Sequence, residues 1–337
     1  MPDVTTPTGQ AREGDADAVI KSEQVLTVVV PVYKNAASIP RLCEQLGAVE
    51  LPNDLQCRVV FVVDGSPDRS AEILESCLES WELPATLVVL SRNFGSFAAI
   101  RAGLEHAEGD YFAVIAADLQ EPPTLIPAFA ERLCTGDVDL VLGSREGRAD
   151  PLASRITAGV FWRLYRRWVQ PSMPLGGVDV FACNVAVRSS ILELEEANSS
   201  LVGQLLWVGY RRATVGYERL PRAEGKSAWT LAKKFRYLSD SVFSFTDLPI
   251  RFLLLVGLLG CFAVSGVALV VAATWWLNGT DVPGYTPIML AVLLVGFVLI
   301  LGLGIVGSYV WRAYENTKQR PLTITQSVRA FPGKRHD

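Results

Sequence analysis

The sequence predicts an α/β fold, a parallel sheet built from βαβ units, followed by two helices that cross a membrane. Two observations carry that expectation. First, five short runs rich in Val, Ile and Leu, at residues 26–30, 58–63, 86–90, 111–116 and 138–142, alternate with segments of helical periodicity at 39–46, 70–78, 97–107 and 125–133. Apolar runs of this length suit strands buried on both faces, and regular alternation with helices implies a parallel sheet whose ligand crevice lies at the carboxyl ends of the strands. Second, residues 252–277 and 286–311 each make a 26-residue stretch without a charged side chain. Roughly 20 apolar residues are enough to cross a hydrocarbon core of about 30 Å.

Half of the residues are hydrophobic, 20% are charged, and the mean hydropathy is +0.28. The excess is concentrated in the two uncharged stretches, which excludes a purely soluble, secreted or disordered chain. A net charge of -4 leaves no polybasic footprint, so nucleic acid is not an expected partner. Local charge sets the orientation. Between residues 207 and 251 nine Lys and Arg stand against four acids, and more basic residues follow residue 311, whereas the link between the stretches holds Asp281 alone. The positive-inside rule then places both ends of the chain in the cytoplasm, in a multi-pass protein of the inner (plasma) membrane.

Six cysteines without a CxxC pair read as reduced thiols, and neither His106 nor His336 has a metal-ligand partner at helical spacing. Residues 1–24 have no apolar segment of a signal peptide and read as a disordered tail. A ligand-binding domain is expected over 25–228, with a basic amphipathic stretch at 155–168 and a Pro/Gly-rich turn at 171–177. From 229 to 250 aromatics alternate with Lys233, Lys234 and Arg236, which suits amphipathic helices lying in the membrane interface. The two spans occupy 251–312, and 313–337 forms a cytoplasmic tail. Gly296, Gly302, Gly304 and Gly307 are small enough for close helix contact within one chain or between the chains of a homo-oligomer.

Polar clusters follow the strand ends. Pro31, Tyr33 and Lys34 come after the first, and Asp64-Gly65-Ser66-Pro67-Asp68 after the second. In the latter a carboxylate can accept from a base or ribose while glycine lets the backbone approach, although the same residues also make ordinary turns. Ser91-Arg92-Asn93-Phe94-Gly95 closes the third strand. After the fourth, Asp118 and Gln120 would point the same way in an extended segment and suit a hard divalent cation. Arg145 and Arg148 follow the fifth. Arg219, Arg222 and Lys226 then place three cations in eight residues, where Pro221 and Gly225 imply a shaped loop.

In order, VVVPVY, VVDGSPD, SRNFG, AADLQEPP, GSR, GGVDVF, WVGY and ERLPRAEGKS before two spans resemble the polyprenyl-phosphate glycosyltransferases of glycosyltransferase family 2. The resemblance covers residues 26–312. It implies a GT-A, Rossmann-like nucleotide-sugar-binding domain with interfacial helices and a two-helix transmembrane hairpin. It further implies that Pro31, Tyr33, Asp64, Arg92 and Gly95 bind the nucleotide, and that Asp118 and Gln120 hold Mg²⁺ or Mn²⁺. Asp118, Asp179 and Arg145 would form the catalytic set, and Arg148, Arg219, Arg222 and Lys226 would bind the acceptor phosphate. One departure stands out. Relatives carry Asp-Ala-Asp-Leu-Gln at the metal, whereas this chain has Ala116 in place of the first Asp, with Glu121 a candidate substitute.

The expected reaction moves a hexose or N-acetylhexosamine from a nucleotide diphosphate sugar, expected to be a UDP-sugar, to a polyprenyl phosphate on the cytoplasmic face. Its product would be a lipid-linked donor for cell-envelope glycan modification, moved across the membrane by a separate flippase. A lipid phosphate is an anion at neutral pH and needs no general base, but it does need a basic cradle. Two alternatives compete. A processive polysaccharide synthase would carry Gln-x-x-Arg-Trp, but Leu164 stands where the Gln belongs before Arg167-Trp168, and nothing apolar precedes Leu26. A non-catalytic membrane scaffold with a degraded metal site has Ala116 as its sole support.

Overall fold

The computed structural model describes residues 24–145, 166–167, 171–174, 177–196, 198–220, 239–240, 242–243, 246, 248–278 and 285–334. Its first half is the expected alternation of β1 (Val25–Val32), α1 (Ile39–Gly47), β2 (Gln56–Val63), α2 (Ser70–Leu78), β3 (Ala85–Leu90), α3 (Ser96–His106), β4 (Tyr111–Val114), α4 (Leu125–Cys134) and β5 (Leu140–Arg145). Then follow β6 (Val180–Asn184), α5 (Val185–Glu193), α6 (Leu201–Trp207), β7 (Arg212–Tyr217), α7 (Leu248–Asn278), α8 (Tyr285–Thr317) and β8 (Thr325–Phe331).

Side-chain alternation in the central strands builds two cores, one on each face of the sheet. Leu26, Val28, Val30 and Val32 of β1 point into a cluster with Leu42 of α1, Leu74 of α2 and Phe129 of α4. Val29, between them, points the other way, toward Leu104 of α3, Val187 of α5 and Leu205 of α6. Local signals fix the helix starts. Pro40 sits at the first turn of α1, where its missing N–H costs nothing, and Ile39, Leu42, Cys43 and Leu46 make one buried stripe. Asn184 caps α5 by accepting from the Val187 backbone N–H at 3.1 Å, a contact worth about 1 kcal/mol.

The sheet corrects the all-parallel expectation. Its order is β7-β5-β6-β4-β1-β2-β3-β8. β1 is parallel to β2 and β4, and β2 is parallel to β3, whereas β6 is antiparallel to both β4 and β5. β7 is parallel to β5, and β8 lies antiparallel against β3. Residues 313–337 are therefore not merely a tail, because α8 runs on to Thr317 and β8 closes one edge of the sheet. β8 is mostly exposed and carries Thr, Gln, Ser and Arg; pairing with β3, not its own hydrophobicity, makes it a strand.

α7 and α8 span 31 and 33 residues. They pack closely enough that a Cβ on Gly302 would lie 3.3 Å from Leu253. Among the described residues, one helical stretch, Leu294–Thr317, is long and apolar enough to cross a membrane, and Leu248–Gly260 is a shorter apolar one. Arg312 joins α8 to the rest of the fold by donating to the Asn198 carbonyl at 2.8 Å and to Asp240 at 2.7 Å. Residues 1–23, expected from the sequence to form a disordered tail, most of the basic stretch 155–168 and most of the expected interfacial segment 229–250 lie outside the described residues.

Candidate active site

The topology brings the motifs to one edge. β1 to β5 and β7 all run in one direction, so their carboxyl ends lie together. β6 and β8 run the other way, so each begins at that same edge: Val180 pairs with Gly143, and Thr325 with Leu90.

On one side of the edge the β1, β2 and β3 ends interlock. Lys34 has a left-handed backbone (φ 57°), and its N–H donates to Ser66 Oγ at 2.8 Å. The Asn35 and Ala36 N–H groups donate to Ser70 Oγ and Asp68 Oδ2, each at 3.2 Å. Burial pulls the Asp68 carboxyl upward, but hydrogen bonds from Ser66, Ser70 and the Ala36 and Ser70 backbone outweigh it and hold the group below its ordinary value. Asp64 is buried, and its carboxylate accepts from the Phe94 N–H at 2.7 Å and the Gly95 N–H at 2.9 Å. It thus shapes the loop that carries Arg92, whose guanidinium stacks 3.9 Å above the Phe94 ring. Gly65 is required between them. A Cβ there would lie 2.2 Å from the Arg92 carbonyl carbon, and φ is +52°. Pro31 and Tyr33 are half-buried beside this loop pair.

The other side gathers charge. Arg145, the last residue of β5, forms an ion pair with Asp179, just ahead of β6. The hydroxyl of Tyr217, the last residue of β7, donates to the same Asp179 Oδ2 at 3.0 Å. Register explains the meeting, because Arg145 and Tyr217 are direct partners in the β5–β7 pair. Tyr217 is buried, and its phenol is pushed up by that burial and then by the Asp179 and Glu121 carboxylates.

The metal motif differs from the extended segment that the sequence implied. After β4 ends at Val114 the chain enters a turn, with Leu119 left-handed at φ 57° and the Gln120 N–H donating to Asp118 Oδ1 at 3.2 Å. The Gln120 side chain faces the basic loop instead of sharing a cation position with Asp118. Its Oε1 accepts from Arg219 at 2.7 Å, its Nε2 donates to the Leu220 carbonyl at 3.4 Å, and its backbone carbonyl accepts from the Leu220 N–H at 2.9 Å. Arg219 also lies 3.6 Å from Glu121, whose side chain is 1% exposed. Burial first, then the Asp118 charge, pushes the Glu121 carboxyl up to about 7, against the pull of Arg219.

Glu121 Oε2 is buried and finds no hydrogen-bond partner among the described residues. That orphaned oxygen beside Asp118 fits a cation, because a positive charge would relieve the repulsion of two acids and satisfy the atom at once. Among the described residues no group of three or more His, Cys, Asp or Glu could hold a metal ion. Further coordination therefore falls to amide, substrate and water oxygens, which Mg²⁺ commonly uses.

Asp118, Gln120, Arg145, Asp179 and Arg219 thus meet on one side of the edge, and Pro31, Tyr33, Asp64, Arg92 and Gly95 on the other. Arg148, Arg222 and Lys226 lie outside the described residues. Sequence reasoning missed Tyr217. An aromatic closing a Val-containing run directly before a basic loop was the available signal, but it needed the β5–β7 register to acquire meaning.

The profile of glycosyl transferase family 2 matches residues 27–193. An uncharacterized glycosyltransferase of Synechocystis is 32% identical over 305 residues, covering 90% of this chain and 95% of that one. A prophage bactoprenol glucosyl transferase homolog of Escherichia coli is 31% identical, covering 90% of this chain and 99% of its own. Among solved structures, glucosyl-3-phosphoglycerate synthase from Mycobacterium tuberculosis is similar at a TM-score of 0.47 and 18% identity, over 65% of this chain and 80% of that one. With 32% identity along nearly the whole length of a glycosyltransferase, and the family profile running from β1 to the end of α5, the chain belongs to glycosyl transferase family 2.

Proposed function

We propose that this enzyme transfers a hexose or N-acetylhexosamine from a UDP-sugar to a polyprenyl phosphate at the cytoplasmic surface of the plasma membrane. The product is a lipid-linked sugar donor for cell-envelope glycan modification. One observation carries the reading: the acid–arginine cluster opens at the sheet edge to which the chain returns, at Thr325, directly after the long apolar helix α8. A lipid-borne acceptor and a nucleotide donor can meet at such an edge. Relatives named bactoprenol glucosyl transferase support the acceptor class.

The return of β8 to the sheet also supports the two-span topology. If α8 crosses the membrane, α7 crosses it too, because both ends of the pair connect to the same sheet. The Lys/Arg asymmetry makes the sheet side cytoplasmic. Two spans form no path for a glycolipid, so a separate flippase completes the route.

The chemistry follows from charge. An anionic phosphate oxygen of the acceptor attacks the anomeric carbon, the bond from that carbon to the diphosphate oxygen breaks, and the nucleoside diphosphate leaves with the electron pair. Nucleophile and leaving group are both anions, so no proton has to move. Asp64 holds the nucleotide loop, and Arg92 lies along the base. Among the described residues Arg145 and Tyr217 both bind Oδ2 of Asp179, and its Oδ1 would orient sugar hydroxyls. Arg219, with Arg222, Lys226 and Arg148, supplies the acceptor cradle. Asp118 and Glu121 would hold Mg²⁺ or Mn²⁺, which when bound offsets charge developing on the diphosphate, while Gln120 stays bound to Arg219.

Calorimetric titration of UDP with and without Mn²⁺ tests the donor side. Metal-dependent binding that Asp118→Asn abolishes supports the reading. Absence of nucleotide binding both with and without Mn²⁺ points to a scaffold.

A further inference from the structure

β8 does more than cover an edge. Its first pairs lie beside the nucleotide loop, for Thr325 is opposite Leu90, and the carbonyl of Ile324 accepts from the Ser91 N–H at 2.9 Å. Ser91 opens the loop Ser91-Arg92-Asn93-Phe94-Gly95, which Asp64 grips at its far end through the Phe94 and Gly95 N–H groups. The loop is thus held at both ends, once by the sheet interior and once by the segment arriving from α8. Seven residues separate Thr317, at the end of α8, from Thr325.

The other end of β8 is fastened as firmly. The Lys334 N–H donates to the Trp81 carbonyl at 3.2 Å, and Arg329 pairs with Glu75 of α2 at 3.2 Å. Gly333, at φ +76°, passes so close that a Cβ would lie 2.6 Å from the Glu82 carbonyl oxygen. The register shifts between Val89 and Leu90, where the strand gives way to the loop. The extra residue is Gln326 of β8, so the bend lies where β8 starts, against the end of β3.

We propose that β8 is a positioning element of the nucleotide site: it sets the loop that carries Arg92 and couples that loop mechanically to the exit of α8. This rests on the reading that residues 91–95 meet the donor nucleotide. An edge strand that only protects β3 from solvent would need neither the Ile324–Ser91 bond nor a tether to the membrane helix.

The test loosens β8 far from the loop and reads the loop. Gly333→Val drives a branched side chain into the Glu82 carbonyl, and Val328→Pro disturbs the middle of the strand, so one variant remains if the other fails to fold. Each full-length protein, in detergent, is compared with wild type by hydrogen exchange over residues 91–95 and by calorimetric affinity for UDP with Mn²⁺. The expected result is faster exchange at 91–95 and about tenfold weaker nucleotide binding in a protein whose other helices stay protected. Faster exchange confined to β3 and β8, with unchanged affinity, overturns the proposal and leaves β8 as edge cover. Arg92→Ala separates the two layers of the argument. If it weakens UDP binding while the β8 variants do not, the nucleotide reading stands and the positioning role falls. If Arg92→Ala has no effect on binding, the nucleotide reading itself is wrong.

Discussion

Arg219 donates to the side-chain oxygen of Gln120 at 2.7 Å, which ties the first cation of the basic loop to the turn that carries Asp118. The Leu220 N–H, bonded to the Gln120 carbonyl, doubles the link. On the proposed reading, the donor and acceptor sides are therefore fastened together through Gln120.

Arg219→Ala should raise the KM for polyprenyl phosphate about ten- to a hundredfold and change the KM for nucleotide sugar little. Losing one charge-assisted contact costs about 1.5–3 kcal/mol on the ligand it serves. Gln120→Ala should produce much of the same defect, and the double variant little more, because the two side chains act as a pair. Steady-state kinetics in nanodiscs, with each substrate varied in turn, checks this. Equal losses toward both substrates would move the pair to the donor diphosphate.

Asp118→Asn should cut transfer by about a hundredfold or more, since a lost contact to developing charge is worth about 3–4 kcal/mol. The protein should remain folded, because Asp118 is only half-buried. Ala116→Asp should tighten Mn²⁺ binding by restoring an acid to the turn. Activity assays paired with metal titrations decide both points.

Glu121 makes stability depend on pH. Its carboxyl is pushed up to about 7 in the folded chain from an ordinary value of 4.5, so between those values the folded state holds a proton that the unfolded state has released. Its contribution is complete below about pH 4.5 and is lost as pH rises through about 7, with a span of about 3 kcal/mol. Glu121→Gln should abolish this dependence and melt higher than wild type at pH 8. Thermal denaturation with a chelator present, at pH 5 and pH 8, measures the difference between the two proteins.

Gly65→Ala should destabilise the fold by about 2 kcal/mol or more, because a Cβ at φ +52° would meet the Arg92 backbone at 2.2 Å. Nucleotide affinity should fall with it, since the Arg92 loop must retreat. Melting temperature and UDP titration read the two effects separately.

Topology is open to direct labelling. In a background without reactive native cysteines, Gly279→Cys should react with an impermeant maleimide added to intact cells, and Asp337→Cys should react only after permeabilisation. Reaction of Asp337→Cys from outside would invert the assignment.

The legible part of this molecule was whatever buried a strand on both faces. β1 to β5 announced themselves because residues such as Val28, Val29 and Val30 are all core, on alternate sides. β6 was hidden because it runs straight into α5 at Val185, and β8 by its polarity, and both owe their state to partners distant in sequence. The site divides in the same way. Asp64, Arg92, Asp118 and Arg145 lie at or after the carboxyl ends of predicted strands, where spacing marks them, whereas Asp179 was marked only by the family resemblance. Tyr217 and the rotation of Gln120 toward Arg219 arise from register and from a left-handed Leu119, neither of which a one-dimensional pattern contains.

The central claim is tested most directly by incubating the purified protein in nanodiscs with polyprenyl phosphate, Mn²⁺ and a panel of UDP- and GDP-sugars, then weighing the lipid products. The predicted result is a polyprenyl phosphate heavier by a single glycosyl unit, formed from a UDP-sugar and absent with Asp118→Asn. A sugar polymer, or an unmodified lipid with every donor in the panel, would contradict it.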